Sequence, residues 1–152
     1  MIRLTPEEIS QAKKLAKIRN TGMTQYRNRP GANENQHFLG ALGEIAFARL
    51  FGLKVEMIQK PDGDNGVDFW LDGRSIDVKT CEHQFPKLVC TADEKKMGSD
   101  LYVLAHRNQN KISFLGFITK RRFLEMKRVL IGGKGNPWYV TPENLYPITR
   151  LE

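Results

Sequence analysis

Apolar positions recur on every second residue on either side of Asp72-Gly73. Val67, Phe69 and Leu71 alternate on the way in, and Ile76 and Val78 alternate on the way out. A period of two predicts extended strands, and Asp-Gly readily takes the positive φ angles of a tight turn, so residues 67–79 predict a β-hairpin. With Asp72 and Gly73 as the loop, Leu71 faces Arg74, Phe69 faces Ile76, Asp68 faces Asp77 and Val67 faces Val78. Val67, Phe69, Leu71, Ile76 and Val78 then share a core face, and Asp68, Asp77 and Lys79 share the other.

The remaining pattern predicts helices and strands in mixed order. Thr5-Pro6-Glu7-Glu8 opens an N-terminal helix over 1–22: Thr caps, Pro takes the first helical position and Glu follows three residues after the cap. Ile9, Ala12, Leu15, Ala16 and Ile18 form its apolar stripe, Lys13, Lys14, Lys17 and Arg19 a basic outer face, and Gly22 its stop. The composition turns polar from Asn20, predicting a basic polar loop over 23–36 that carries Tyr26, Arg27 and Arg29. A second helix runs from about Asn35 to Phe51, and Gly52 ends it. Gly40 and Gly43 each cost that helix roughly 1 kcal/mol relative to Ala, so something, most simply the sheet, must approach closely there.

Leu53–Ile58 reads as a strand, Lys87–Cys90 as a short edge strand and Thr91–Lys96 as a helical turn. Leu101–Ala105 and Ile112–Ile118 are near-continuous apolar runs of the kind found in strands covered on both faces. Thr119 caps a third helix from Lys120 to about Leu130, and Trp138–Val140 is a last strand. The expected fold is a single α/β domain, a mixed central β-sheet flanked by α-helices, with a core over 37–118 and a C-terminal helix and strand over 119–152.

A length of 152 residues suits one core, and 40% hydrophobic with 27% charged residues is an ordinary globular composition. No apolar run approaches the roughly 20 residues that span a bilayer, and no signal-like apolar segment opens the chain. The expectation is a cytoplasmic protein without a membrane partner. Twenty-four Lys and Arg against seventeen Asp and Glu give a net charge of +7, which favours a polyanionic partner. Cys81-Glu82-His83 with Cys90 offers three soft ligands without the close Cys pairs of structural zinc sites, so a strand-end Cys and a second strand Cys remain the simpler description. Gly132-Gly133-Lys134-Gly135 lacks the spacing of a phosphate-binding P-loop and reads as a basic connector.

The hairpin carries the candidate chemistry. Carboxylates facing each other across paired strands lie about 4.5–5.5 Å apart at Cβ and repel. A divalent cation such as Mg²⁺ or Mn²⁺ removes that penalty and also accepts phosphate oxygens, which places Lys79 beside a phosphate. Lys87 follows that strand, and Lys120, Arg121 and Arg122 crowd a helix N-terminus, where positive charge opposes the dipole unless an anion binds. These residues, with Arg27, Arg29 and His37, are the candidate nucleic-acid contacts. Each also has a plain reading as a solvated surface charge.

Asp68, an eight-residue gap and then Asp77-Val78-Lys79 resemble the signature of the PD-(D/E)XK nuclease superfamily, and Glu44 in Gly40-Ala41-Leu42-Gly43-Glu44 is similar to its helix glutamate. The resemblance covers about residues 36–118. It implies a restriction-endonuclease-like fold and Mg²⁺- or Mn²⁺-dependent hydrolysis of DNA phosphodiesters. It also implies Asp68, Asp77, the Val78 carbonyl and Glu44 as metal ligands, with Lys79 orienting or helping to deprotonate the attacking water and stabilising the phosphorane. The eponymous Pro is absent before Asp68; Asp62, after Pro61, and Asp64 are rival first acids. The alternatives are a non-catalytic DNA-binding or protein-interaction module of the same fold, and a basic structural or regulatory protein. Endonuclease, exonuclease and junction-resolving activities stay open, as does a homodimer, which would pair two sites.

Overall fold

The computed structural model describes residues 1–23, 30–57 and 66–152. Arg27, Arg29 and Tyr26, together with the rival acids Asp62 and Asp64, lie outside the described residues. The architecture is mixed α/β. Strand β1 (Ile2–Arg3) precedes helices α1 (Pro6–Met23) and α2 (Pro30–Phe51). The hairpin strands β2 (Phe69–Leu71) and β3 (Arg74–Cys81) follow, then β4 (Leu88–Cys90), β5 (Leu101–Asn108), β6 (Lys111–Thr119), helix α3 (Lys120–Met126), β7 (Arg128–Val129) and β8 (Trp138–Val140).

Five strands form one sheet in the order β1-β6-β5-β3-β2, and β4-β8-β7 form a second. Only β3 and β5 run parallel; every other pairing is antiparallel. The connection between β3 and β5 therefore crosses the sheet, and it carries β4 and the short 3-10 turn Glu94–Lys96 with it. That crossover buries a second apolar cluster of Leu88, Cys90, Met97, Tyr102, Leu104, Ile118, Phe123 and Val140. The larger cluster lies on the opposite face, where α1 and α2 cover Phe69, Ile76, Val78, Val103 and Ala105.

Local chemistry explains the elements that match expectation. Thr5 and Glu8 form a reciprocal capping box: the Glu8 amide donates to Thr5 Oγ1 (3.1 Å) and the Thr5 amide to Glu8 Oε1 (2.9 Å). The hairpin register is the expected one, Phe69 with Ile76 and Leu71 with Arg74, turning on Asp72 (φ 50°) and Gly73 (φ 78°). Thr119 caps α3 by accepting from the Arg122 amide at 3.1 Å.

Three elements and one side chain differ. Helix α2 begins at Pro30 rather than Asn35, so the segment expected as loop up to residue 36 is partly helical. Residues 53–57 form no strand: Leu53, Val55 and Met57 pack on the core, but no neighbouring strand receives their backbone. Helix α3 ends at Met126, because Arg128 and Val129 pair with Tyr139 and Trp138. Arg19 is no outer-face cation either; its side chain is 11% exposed and bonded to Glu44.

Candidate functional site

Strand β2 begins at Phe69, opposite Ile76, whereas β3 continues past Ile76 to Cys81. From Val78 onward β3 therefore has β5 on one edge and, among the described residues, no strand on the other. Asp68 occupies the point where the pairing ends. Its amide donates to the Ile76 carbonyl (2.8 Å) and its carboxylate Oδ2 accepts from the Val78 amide (2.7 Å). The N–H and C=O of one residue project to the same strand edge, so the Val78 carbonyl shares the edge that Asp68 caps.

Asp77 and Lys79, two residues apart on β3, point away from α1 and α2, and Lys79 Nζ lies 3.0 Å from Asp77 Oδ2. Asp77 is 8% exposed at its side chain and Lys79 40%. Burial, offset in part by Lys79 and reinforced by Asp68, pushes the Asp77 carboxyl up to about 7. Burial pulls the Lys79 ammonium down, but Asp77, Cys90 and Asp68 together outweigh it and hold Lys79 above the ordinary lysine range. Lys79 is thus a fixed cation, while Asp77 is an acid whose charge is expensive until something positive joins it. Below the pair, Cys90 and Tyr102 are each pushed up to about 12 by burial, so both are neutral.

The polar dipeptide Ser99-Asp100, placed just before the apolar strand β5, braces this site, and its role was not legible from sequence. Ser99 Oγ donates to the Gly66 carbonyl (2.8 Å), and the Ser99 amide donates to Tyr102 Oη (3.2 Å). Asp100 accepts from both the amide (2.9 Å) and the hydroxyl (3.1 Å) of Ser75. One turn therefore holds both arms of the hairpin. Gly66, with φ of +75°, presses so close that a Cβ there would sit 3.0 Å from Asp77 Oδ2. Only glycine combines that backbone with that approach.

On the helical side, a Cβ at Gly43 would collide with Thr80 Oγ1. This explains the glycine that its helix tolerates at a cost. Glu44, one residue on, is buried and takes Arg19 Nη1 at 2.6 Å. The predicted triad of Asp68, Asp77 and Lys79 is thus assembled at one strand end. Among the described residues, however, no three His, Cys, Asp or Glu side chains gather, so Glu44 is not brought into a cluster with the two hairpin acids.

Lys79, Val78 and Thr80 open on a cleft of about 660 Å³. Gln36 and Gly40 of α2 wall one side, and Val89–Ala92 with Lys134, Gly135 and Pro137 wall the other. Lys134 is the cleft cation that sequence reasoning missed; only folding brings the glycine-rich segment across from β3. His37 lies beside Gln36 but does not line the cleft. Lys87 lines an adjoining cavity.

Lys120 and Arg121 lie elsewhere, in a depression shared with Glu94, Asp100 and Glu125. Arg122 is committed to the Asn144 carbonyl (3.0 Å) and to the face of Tyr146 (5.0 Å). Cys81 and Cys90 are free thiols, and they belong to no three-ligand cluster among the described residues.

What this arrangement offers chemically is a hard-oxygen donor set, two carboxylates and a carbonyl edge, beside a permanent ammonium and a basic cleft wall. Such donors suit Mg²⁺ or Mn²⁺ rather than softer metals. No family model matches the chain, and neither a curated protein nor a solved structure matches it. Among the described residues, no helix is long and apolar enough to cross a membrane.

Proposed function

We propose that the chain is a Mg²⁺- or Mn²⁺-dependent deoxyribonuclease of the PD-(D/E)XK superfamily with a restriction-endonuclease-like fold, acting on DNA phosphodiesters at the open end of β3. The observation that carries this reading is the convergence of Asp68, Asp77 and Lys79 where the β2–β3 pairing ends, with Lys79 and Val78 of that group lining a cleft walled by Lys134. The net charge of +7 supports a polyanionic substrate.

A divalent cation fits the residues present. Asp77 is buried against Asp68, and its carboxyl, pushed up by burial and by that neighbour, lacks enough positive charge in the protein alone. Asp68, Asp77 and the Val78 carbonyl would hold the ion, leaving positions for water and phosphate oxygens. When bound, the cation supplies Lewis acidity, acidifying water and offsetting phosphate charge. Lys79, held protonated by Asp77, stabilises the negative charge that builds on the phosphoryl oxygens during attack, and does not act as the base. Lys134 neutralises a flanking phosphate from the opposite wall. The Val78 amide fixes the Asp68 carboxylate, so neither acid must reorganise when substrate arrives.

The second reading is a non-catalytic DNA-binding module of the same fold, and the ion pair that engages Glu44 with Arg19 favours it. Purified protein with Mg²⁺ or Mn²⁺, offered single-stranded, duplex, flapped and four-way DNA, separates the two. Metal-dependent cleavage lost in Asp77→Asn and Lys79→Ala is the expected outcome. Binding without cleavage selects the module, and cleavage that survives both substitutions overturns the site assignment.

A further inference from the structure

Next to the cleft, and sharing Val89 with it, is a second cavity of about 390 Å³. That volume falls within the roughly 300–1,000 Å³ of small-ligand sites. Phe85 and Leu130 form apolar walls, while His83, Gln84 and Lys87 bring polar heads to the same space. The loop that builds it, residues 82–87, is tied down at three points. Arg107 reaches Glu82 (3.6 Å), His106 Nε2 lies 2.9 Å from the His83 carbonyl, and Lys87 Nζ stands 5.8 Å above the Tyr139 ring.

At the tip of this anchored loop Phe85 is 74% exposed. Such exposure serves no core, and an anchored loop does not swing its tip into one. A large exposed ring beside a basic cleft is an arrangement used to stack a base, because stacking needs a flat apolar surface.

We propose that this cavity receives one unpaired nucleobase of the strand whose phosphate lies in the neighbouring cleft. The base stacks on Phe85 against Leu130. Gln84 offers one amide donor and one acceptor to its edge. The inference rests on the nucleic-acid reading of the cleft and sharpens it: the substrate is single-stranded or carries an unpaired nucleotide beside the scissile bond. A fully stacked duplex cannot supply that base without unstacking it.

The test is fluorescence anisotropy of the full chain in EDTA, where cleavage is absent. Two hairpin oligonucleotides are compared, one with a single unpaired 2-aminopurine and one abasic at that position. Base stacking on an aromatic ring corresponds to roughly 5- to 150-fold in affinity. The wild type is expected to prefer the 2-aminopurine DNA by at least that lower bound and to quench its fluorescence. Phe85→Ala is expected to bind both DNAs equally, at the abasic affinity, and Phe85→Trp to restore the preference.

Equal affinity for the two DNAs in the wild type, or an unchanged preference in Phe85→Ala, overturns the inference. So does a dimer that Phe85→Ala dissociates without altering DNA preference, since that result assigns the face to a second copy. If Mg²⁺-dependent cleavage persists with no base preference, the pocket alone is wrong. If base-dependent binding holds but no metal supports cleavage, the hydrolase reading alone is wrong. Absence of any DNA binding removes both.

Discussion

The two faces of β3 are built on opposite rules. Ile76, Val78 and Thr80 face α2, where Gly43 lets helix and strand touch and the packing leaves almost no freedom. Asp77 and Lys79, interleaved with them, face β4 and Tyr102 and put two charges into a largely apolar setting. One face of the strand is optimised for burial. The other keeps groups whose burial is unfavourable, which is how a protein stores an environment for a ligand rather than stability for itself. The strand needs the first face to be rigid for the second to be accurately placed.

The sharpest way to break this contrast is to remove a charge from the polar face and find function unharmed. Lys79→Ala is expected to lower Mg²⁺-dependent hydrolysis by roughly 10²- to 10³-fold, the usual cost of losing one preorganised electrostatic contact. Urea unfolding is expected to show a small loss at pH 6, where Asp77 stays protonated once Lys79 is gone, and a larger one above pH 7, where the buried carboxylate has lost its partner at 3.0 Å. Steady-state cleavage rates and unfolding curves on the same preparation check both halves.

The apolar face should show the reverse pattern. Gly43→Leu inserts bulk against Thr80 and is expected to destabilise the fold by about 3 kcal/mol, the upper part of the overpacking range, although leucine is the better helix former. Chemical denaturation measures it. Gly43→Ala combined with Thr80→Ala is expected to recover most of the loss seen in Gly43→Ala alone, because the collision is with the threonine hydroxyl.

A third prediction concerns pH. Asp77 is pushed from 3.8 to about 7 by burial, so the folded state holds a proton that the unfolded chain releases. That contribution is complete below about pH 4 and disappears as pH rises through about 7. In chelator, Asp77→Asn is therefore expected to unfold at a higher temperature than the wild type above pH 7. The gain is on the order of 1–3 kcal/mol, because ionising the buried carboxylate costs more than Lys79 returns, and it shrinks towards pH 4. Calorimetric scans across that range decide it.

The smallest effect belongs to the brace. Ser99→Ala removes the hydroxyl bond to the Gly66 carbonyl and is expected to cost about 0.5–1.5 kcal/mol in stability. If Gly66 positions the acids, hydrolysis falls further than that loss explains, and its pH dependence shifts. An activity loss no larger than the stability loss would mark Ser99 as merely structural.

These four tests map onto what sequence could and could not reveal. The hairpin, its register and the meeting of Asp68, Asp77 and Lys79 were legible because Asp72-Gly73 and the two-residue alternation are local signals that leave one consistent pairing. The Thr5 capping box and the strands β5 and β6 were legible for the same reason. Leu53, Val55 and Met57 misled because alternation shows which side chains turn inward, not whether a strand waits alongside. The Arg19 to Glu44 ion pair, the Ser99-Asp100 brace and Lys134 across the cleft involve partners 25 or more residues away, and no periodicity encodes them. Gly43 was legible as a cost, and its cause became visible only with Thr80 beside it.

The central claim is that the polar face of β3 waits for a divalent cation, and titration calorimetry with Mn²⁺ at pH 7.5 tests it without any substrate. The expected result is one saturable site in the wild type with proton release, retained in Lys79→Ala and lost in Asp77→Asn. Equal Mn²⁺ affinity in Asp77→Asn and wild type, or no binding by either, contradicts it.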